Sequence, residues 1–104
     1  MPWAVIQEWS MGGHDTSGYD AVNLQLGAIE NPPAGLIVHT AGGTEDGGFR
    51  VFDVWETREA WEAFERDRLG PAIEAAMAAL PADVRETMGP PDQTMYELHG
   101  FMRP

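Results

Sequence analysis

Four glycines in seven residues, Gly42-Gly43-Thr44-Glu45-Asp46-Gly47-Gly48, separate two apolar stretches and force the chain to double back. Glycine reaches positive φ without a steric penalty, so such a segment reads as a turn between paired strands. Gly35 to Ala41 on one side and Phe49 to Trp55 on the other then form a hairpin. Its register decides which side chains share a face. If the turn is Thr44 to Gly48, Gly43 lies opposite Phe49 and His39 lies opposite Asp53. Their Cβ atoms are then about 5 Å apart on one face. A turn one residue shorter would send the two side chains to opposite faces. The longer turn is the expectation.

The flanking segments extend this hairpin into a six-element order. Trp3 to Ser10 alternates and is rich in strand formers. Ser17-Gly18-Tyr19-Asp20 is a variant capping box, and Tyr19, Val22, Leu26 and Ile29 follow at helical spacing, predicting a helix from Gly18 to Ile29. Pro32 and Pro33 forbid its continuation. Thr57 is placed to cap a second helix, with Trp61 and Phe64 inward and Glu62–Arg66 as an i,i+4 pair. Gly70-Pro71 interrupts that helix, with Pro71 opening a continuation through Leu80. Asp83 to Met88 predicts one further turn, and Thr94 to Met102 a last strand. The order β, α, β, β, α, β defines an α+β, ferredoxin-like fold over 1–104 as one domain. Right-handed crossovers give an antiparallel four-stranded sheet of order 4-1-3-2 with both helices on one face.

Composition removes several functions. The formal net charge is −11, with six Arg, no Lys and no Cys. A nucleic-acid partner needs a basic footprint, and an anionic membrane repels this charge, so neither partner is expected. Disulfides and thiolate metal sites are excluded by the absence of Cys. Met1 to Met11 lacks the basic start of a signal peptide, and no apolar run approaches the length of a spanning helix; a cytoplasmic location is the expectation. The Ala/Gly/Arg-rich composition points to a high-GC bacterial source.

Parity along each strand sorts the sheet into two faces. Ala4, Ile6, Leu36, Val38, Phe52 and Val54, with Leu98 and Gly100, form a plain apolar set that suits packing under the helices. The other set mixes aromatic and polar residues. It includes Gln7, Trp9, His39, Asp53 and Trp55, and on the last strand Glu97, His99 and Phe101. That mixture suits a cavity or a partly polar dimer interface. In the functional reading, His39 is an acid/base oriented by Asp53. Gln7 is then a polar contact to a substrate, and Trp9, Trp55, His99 and Phe101 line the binding site. In the structural reading, His39–Asp53 is a satisfied polar pair that fixes register, and the aromatics are interface core. His39 and His99 with Glu97 could also supply metal ligands, but their spacing is not that of a metal motif. His14, in a Gly-rich loop, reads as solvent-exposed. No Gly-rich segment has the lysine and following helix of a phosphate loop.

The stretch Gly48-Phe49-Arg50-Val51-Phe52-Asp53-Val54-Trp55-Glu56-Thr57-Arg58-Glu59-Ala60-Trp61-Glu62-Ala63-Phe64 resembles the third-strand-to-second-helix passage of the dimeric α/β-barrel superfamily. The antibiotic-biosynthesis monooxygenase-like families are the nearest. The resemblance implies a homodimer with a cavity in each subunit for a small hydrophobic molecule. Members include cofactor-independent oxygenases of aromatic polyketides, haem-degrading enzymes, lactone isomerases and aldoxime dehydratases. Thr57 to Leu80 contains no His to ligate haem iron, so no cofactor is expected. The resemblance implies a cofactor-independent enzyme, monooxygenase-like or an isomerase/cyclase, acting on a cyclic or aromatic metabolite. The alternative is a non-catalytic dimer that binds a small ligand or serves as an accessory subunit.

Overall fold

The computed structural model describes residues 1–11, 13, 15–86 and 89–102. The elements run β1 (Trp3–Trp9), α1 (Ser17–Leu26), β2 (Leu36–Gly43), β3 (Phe49–Trp55), α2 (Arg58–Phe64), a π turn (Glu65–Leu69), α3 (Gly70–Ala79), α4 (Ala82–Arg85) and β4 (Asp92–Glu97). The sheet is antiparallel with order β2-β3-β1-β4, the expected ferredoxin-like topology, and the helices pack on one face of it. Among the described residues no helix is long and apolar enough to cross a membrane. His14 and Met88 lie outside the described residues.

The hairpin has the expected register. Gly43 pairs with Phe49 and His39 with Asp53. The turn closes through Thr44 N–H donating to the Gly48 carbonyl at 2.9 Å, with Gly47 at φ +89°. The loop before α1 docks on this turn: Gly13 N–H donates to the Gly47 carbonyl at 3.0 Å. A Cβ at Gly13 would stand 2.3 Å from the Gly48 oxygen, so only glycine allows that approach.

The covered face is the reverse of the one expected. Val5, Trp55 and Trp61 form one buried cluster, with Leu36, Phe64 and Met95 against it. The mixed aromatic and polar row therefore lies beneath the helices. Ile6, Val38, Phe52 and Tyr96 lie on the face without helices, and Val38 and Tyr96 are exposed. Parity separates two rows, but it carries no label for the covered one. Here the large rings of Trp61 and Phe64 select Trp55 as their partner, with centroids 5.8 Å and 5.1 Å away. A bulge between Leu36 and Val38 corrects a second expectation. It absorbs Ile37 and lets Leu36 and Val38 point to opposite faces.

Helix ends also depart from the pattern. Gly27, at φ 60°, terminates α1 and its N–H donates to the Asn23 carbonyl. Ile29 is consequently 93% exposed rather than inward. Thr16 occupies the cap position and Ser17 is already helical, so the expected capping box is replaced by a Thr16–Asp20 side-chain bond. Thr57 does cap α2, accepting from Ala60 N–H at 3.0 Å, a contact worth about 1 kcal/mol. Glu62 pairs with Arg58, not with Arg66, which turns to Asp67.

The second helix is continuous through Gly70-Pro71. Pro71 lacks the N–H a helix interior needs, and its ring crowds the preceding turn. The chain widens there into the π turn, where Gly70 N–H reaches back to the Glu65 carbonyl. The turn also carries Arg68, which donates to the Leu26 carbonyl at 3.0 Å and the Asn31 carbonyl at 2.9 Å. A cation thus sits on the last turn of α1, where free carbonyls favour it. β4 stops at Glu97, so Leu98, His99 and Phe101 lie beyond the strand expected to carry them.

Candidate active site

The core is divided. The cluster around Trp55 and Trp61 joins α2 to the sheet, while Val22, Ala72 and Ala76 form a second cluster between α1 and α3. Leu69 touches both. Since α1 packs chiefly on α3 and reaches the sheet through Tyr19, a cavity of about 670 Å³ opens between helices and sheet. That volume lies within the range of small-molecule sites.

One corner of the cavity is polar. His39 Nδ1–H donates to Asp53 Oδ1 at 2.6 Å, and Tyr19 O–H lies 2.6 Å from His39 Nε2. Asp53 is 5% exposed on the central strand β3. His39 stands on the edge strand β2, and Tyr19 on the first turns of α1. Asp53 fixes the tautomer by accepting from Nδ1–H. The neutral imidazole then presents a bare Nε2 that accepts from Tyr19; the protonated imidazole donates from Nε2 to the Tyr19 oxygen. The Tyr19 and His39 rings are parallel within 3°, with centroids 6.0 Å apart.

The hydrogen bond from Asp53 raises the His39 pKa above its usual value. The Asp53 charge acts in the same direction, and partial burial opposes both. Because the folded-state pKa is the higher one, this pair stabilises the fold fully below the unfolded value of about 6.5. The contribution is lost as pH rises through the folded-state pKa. An NMR titration should place the His39 midpoint above 6.5 and show it falling in Asp53→Asn. An unchanged midpoint in that variant would assign the shift to another cause.

The rest of the cavity wall is mainly apolar, aliphatic and aromatic together. Phe49 sits between Trp9 and Tyr19, at centroid distances of 6.3 Å and 5.3 Å. Trp9 Nε1–H donates to the Gly89 carbonyl at 2.7 Å and so ties Gly89, Pro90 and Pro91 to the cavity rim. Gln7 lies on the same floor and donates from Nε2 to Gln93 Oε1 at 3.1 Å. Trp55 is fully buried and lines the cavity, yet its indole N–H has no hydrogen-bond partner among the described residues. A buried donor left unpaired costs about 1–3 kcal/mol.

Of the expected site residues, the structure brings Gln7, Trp9, His39, Asp53 and Trp55 around one cavity. His99 and Phe101 are not among the residues that line it, because β4 ends before them. Tyr19 reads from the sequence only as a helix-face residue. Its position three residues into α1, after a Gly-rich loop that docks on the hairpin turn, is the signal that could have found it. Among the described residues no group of three or more His, Cys, Asp or Glu is arranged to hold a metal ion.

A four-stranded antiparallel sheet with helices on one face is shared with antibiotic-biosynthesis monooxygenase-like proteins of ferredoxin fold, which are this chain's structural neighbours. The monooxygenase ActVA-Orf6 of Streptomyces coelicolor, solved with nanaomycin D, superposes with a TM-score of 0.65 at 20% identity, covering 98% of this chain and 91% of its own. Rv0793 of Mycobacterium tuberculosis gives a TM-score of 0.69 at 15% identity over 99% and 100% of the two chains. SnoaB of Streptomyces nogalater, a cofactor-independent oxygenase, gives 0.62 at 14% identity over 99% and 98%. At these identities the likeness establishes the fold. The sequence matches no protein-family model and no curated protein at a significant level.

Proposed function

We propose that this chain is a small cofactor-independent enzyme, oxygenase-like, that removes an acidic proton from a hydrophobic cyclic or aromatic substrate. The observation that carries this reading is the Tyr19–His39–Asp53 chain in the wall of a mainly apolar cavity. Neutral His39, held by Asp53, is the base. Tyr19 passes the substrate proton to Nε2 through its own hydroxyl, and the Asp53 carboxylate stabilises the imidazolium that forms. Trp55 Nε1–H donates to a carbonyl oxygen of the substrate, where negative charge develops. A carbanion next to a carbonyl is electron-rich enough to reduce O₂ directly. An activated CH₂ then becomes C=O, one oxygen atom is retained and the other leaves as water. Without oxygen, the same proton removal opens an isomerisation or cyclisation.

Two features of the fold support the reading further. Structural neighbours include oxygenases, one of them solved with nanaomycin D. The face without helices carries Ile6, Val38, Phe52 and Tyr96 and would close against a second copy, giving the homodimer. A monomer by sedimentation at micromolar concentration would remove that part.

Anthrone tests the activity, since its CH₂ is acidified by a carbonyl across the ring. The protein should consume one O₂ per anthraquinone formed, above the buffer rate, and His39→Ala should abolish the excess. Binding of anthrone with no turnover, unaffected by His39→Ala, would favour the non-catalytic ligand-binding reading.

A further inference from the structure

Among the described residues, the acidic and basic side chains that line the cavity are Asp15, Asp20, Glu30, His39 and Asp53. The chain has no Lys, and no Arg of the described residues lines the cavity. The arginines of the described residues are committed or distant. Arg50 pairs with Glu8 on the sheet face without helices, and Arg58 pairs with Glu62 and covers the Trp3 ring. Arg66 pairs with Asp67, and Arg68 is spent on the Leu26 and Asn31 carbonyls. Arg85 stands exposed on α4.

His39 does not supply the missing cation. Both of its nitrogens are engaged, one by Asp53 and one by Tyr19. When protonated, its charge is cancelled by the Asp53 carboxylate 2.6 Å away. When neutral, it leaves the polar corner with one negative charge. The mouth repeats the sign: Asp15, Asp20 and Glu30 flank the approach, on a chain whose formal net charge is −11. An anionic ligand entering this space exchanges water for an apolar wall with no opposite charge, while like charges wait at both ends.

Trp55, which lines the cavity, also keeps its indole N–H buried and without a hydrogen-bond partner among the described residues. An indole N–H satisfies a carbonyl or hydroxyl oxygen, which needs no charge.

We infer that the cavity selects its ligand by charge: it takes uncharged or amine-bearing aromatic molecules, and it rejects carboxylates. The inference rests on the aromatic-substrate reading of the proposed function and adds the charge class. It separates this site from one that grips an acidic metabolite by an arginine.

Three probes with one ring system test it: 9-anthracenemethylamine, 9-anthracenemethanol and anthracene-9-carboxylate. Trp9, Trp55 and Trp61 line the cavity, so quenching of tryptophan emission reports binding, and calorimetry checks each dissociation constant. The ammonium and the alcohol should bind, the ammonium more tightly at low salt, and the carboxylate should bind at least tenfold more weakly than the alcohol. In the exposed-site variant Asp20→Asn/Glu30→Gln the ammonium should lose its advantage over the alcohol at low salt. Carboxylate binding as tight as that of the alcohol overturns charge selection and leaves the aromatic site standing. Binding of none of the three overturns the aromatic site, and this inference with it.

Discussion

His39→Ala is expected to slow the proton-removal step by about 10²–10⁴-fold, the usual contribution of a positioned general base. Asp53→Asn should fall in the same range for a different reason. An amide can donate to the imidazole as well as accept from it, so the tautomer with a bare Nε2 is no longer enforced. Tyr19→Phe keeps the ring and its packing on Phe49 but removes the hydroxyl. It should cost the rate tenfold or more without changing the affinity for a bound aromatic. The pH profile carries the sign of the linkage. The base must be neutral, and Asp53 holds the His39 pKa above its ordinary value, so the rate should climb as pH rises through that raised midpoint. In Asp53→Asn the residual rate should climb at lower pH. A pH-independent rate across that window, or a His39→Ala variant as fast as the parent, would remove His39 from the chemistry.

The second large effect is on stability. Trp61 is 2% exposed and packs on both Trp55 and Phe64. Trp61→Ala should cost about 3–5 kcal/mol, the range for truncating a large buried aromatic. Against a typical total of about 5–15 kcal/mol, that leaves a domain of this size close to unfolding. Urea unfolding followed by far-UV circular dichroism measures it. Ile29→Ala is the counterpart. Its side chain is 93% exposed, so the change should stay within about 0.5 kcal/mol. A loss above 1 kcal/mol at Ile29 would mean that the residue is covered in solution.

That contrast shows where the sequence was legible. The residues of the Gly-rich turn are local, so the hairpin register, and with it the His39–Asp53 pair, followed once the longer of two turns was chosen. The strand order followed from the element order and the handedness of crossovers. Trp61 and the Thr57 cap follow from helical spacing and cap chemistry alone. What escaped depends on longer-range competition. Ile29 continued a helical pattern that Gly27 ended by adopting a left-handed conformation. Ile37 vanished into a bulge that no periodicity marks. The covered face of the sheet was decided by Trp61 and Phe64 choosing Trp55, a tertiary preference invisible to strand parity. Tyr19 reaches His39 across the layers, from a helix whose preceding loop meets the hairpin turn at Gly13, and helical spacing does not encode that long-range contact. His99 and Phe101 kept strand-like alternation in a segment where pairing had already ended.

The split core has a thermodynamic consequence. Two apolar layers meet mainly through Leu69, and the space between them is as large as a small molecule. A guest that fills this space becomes part of the protein's interior. It supplies dispersion contacts that the chain's own side chains leave unmade. Occupancy and folding are then coupled, and at a free concentration one hundred times the dissociation constant a guest adds about 2.7 kcal/mol. The melting temperature of this protein is therefore also a gauge of which molecules it recognises, readable before any reaction is known.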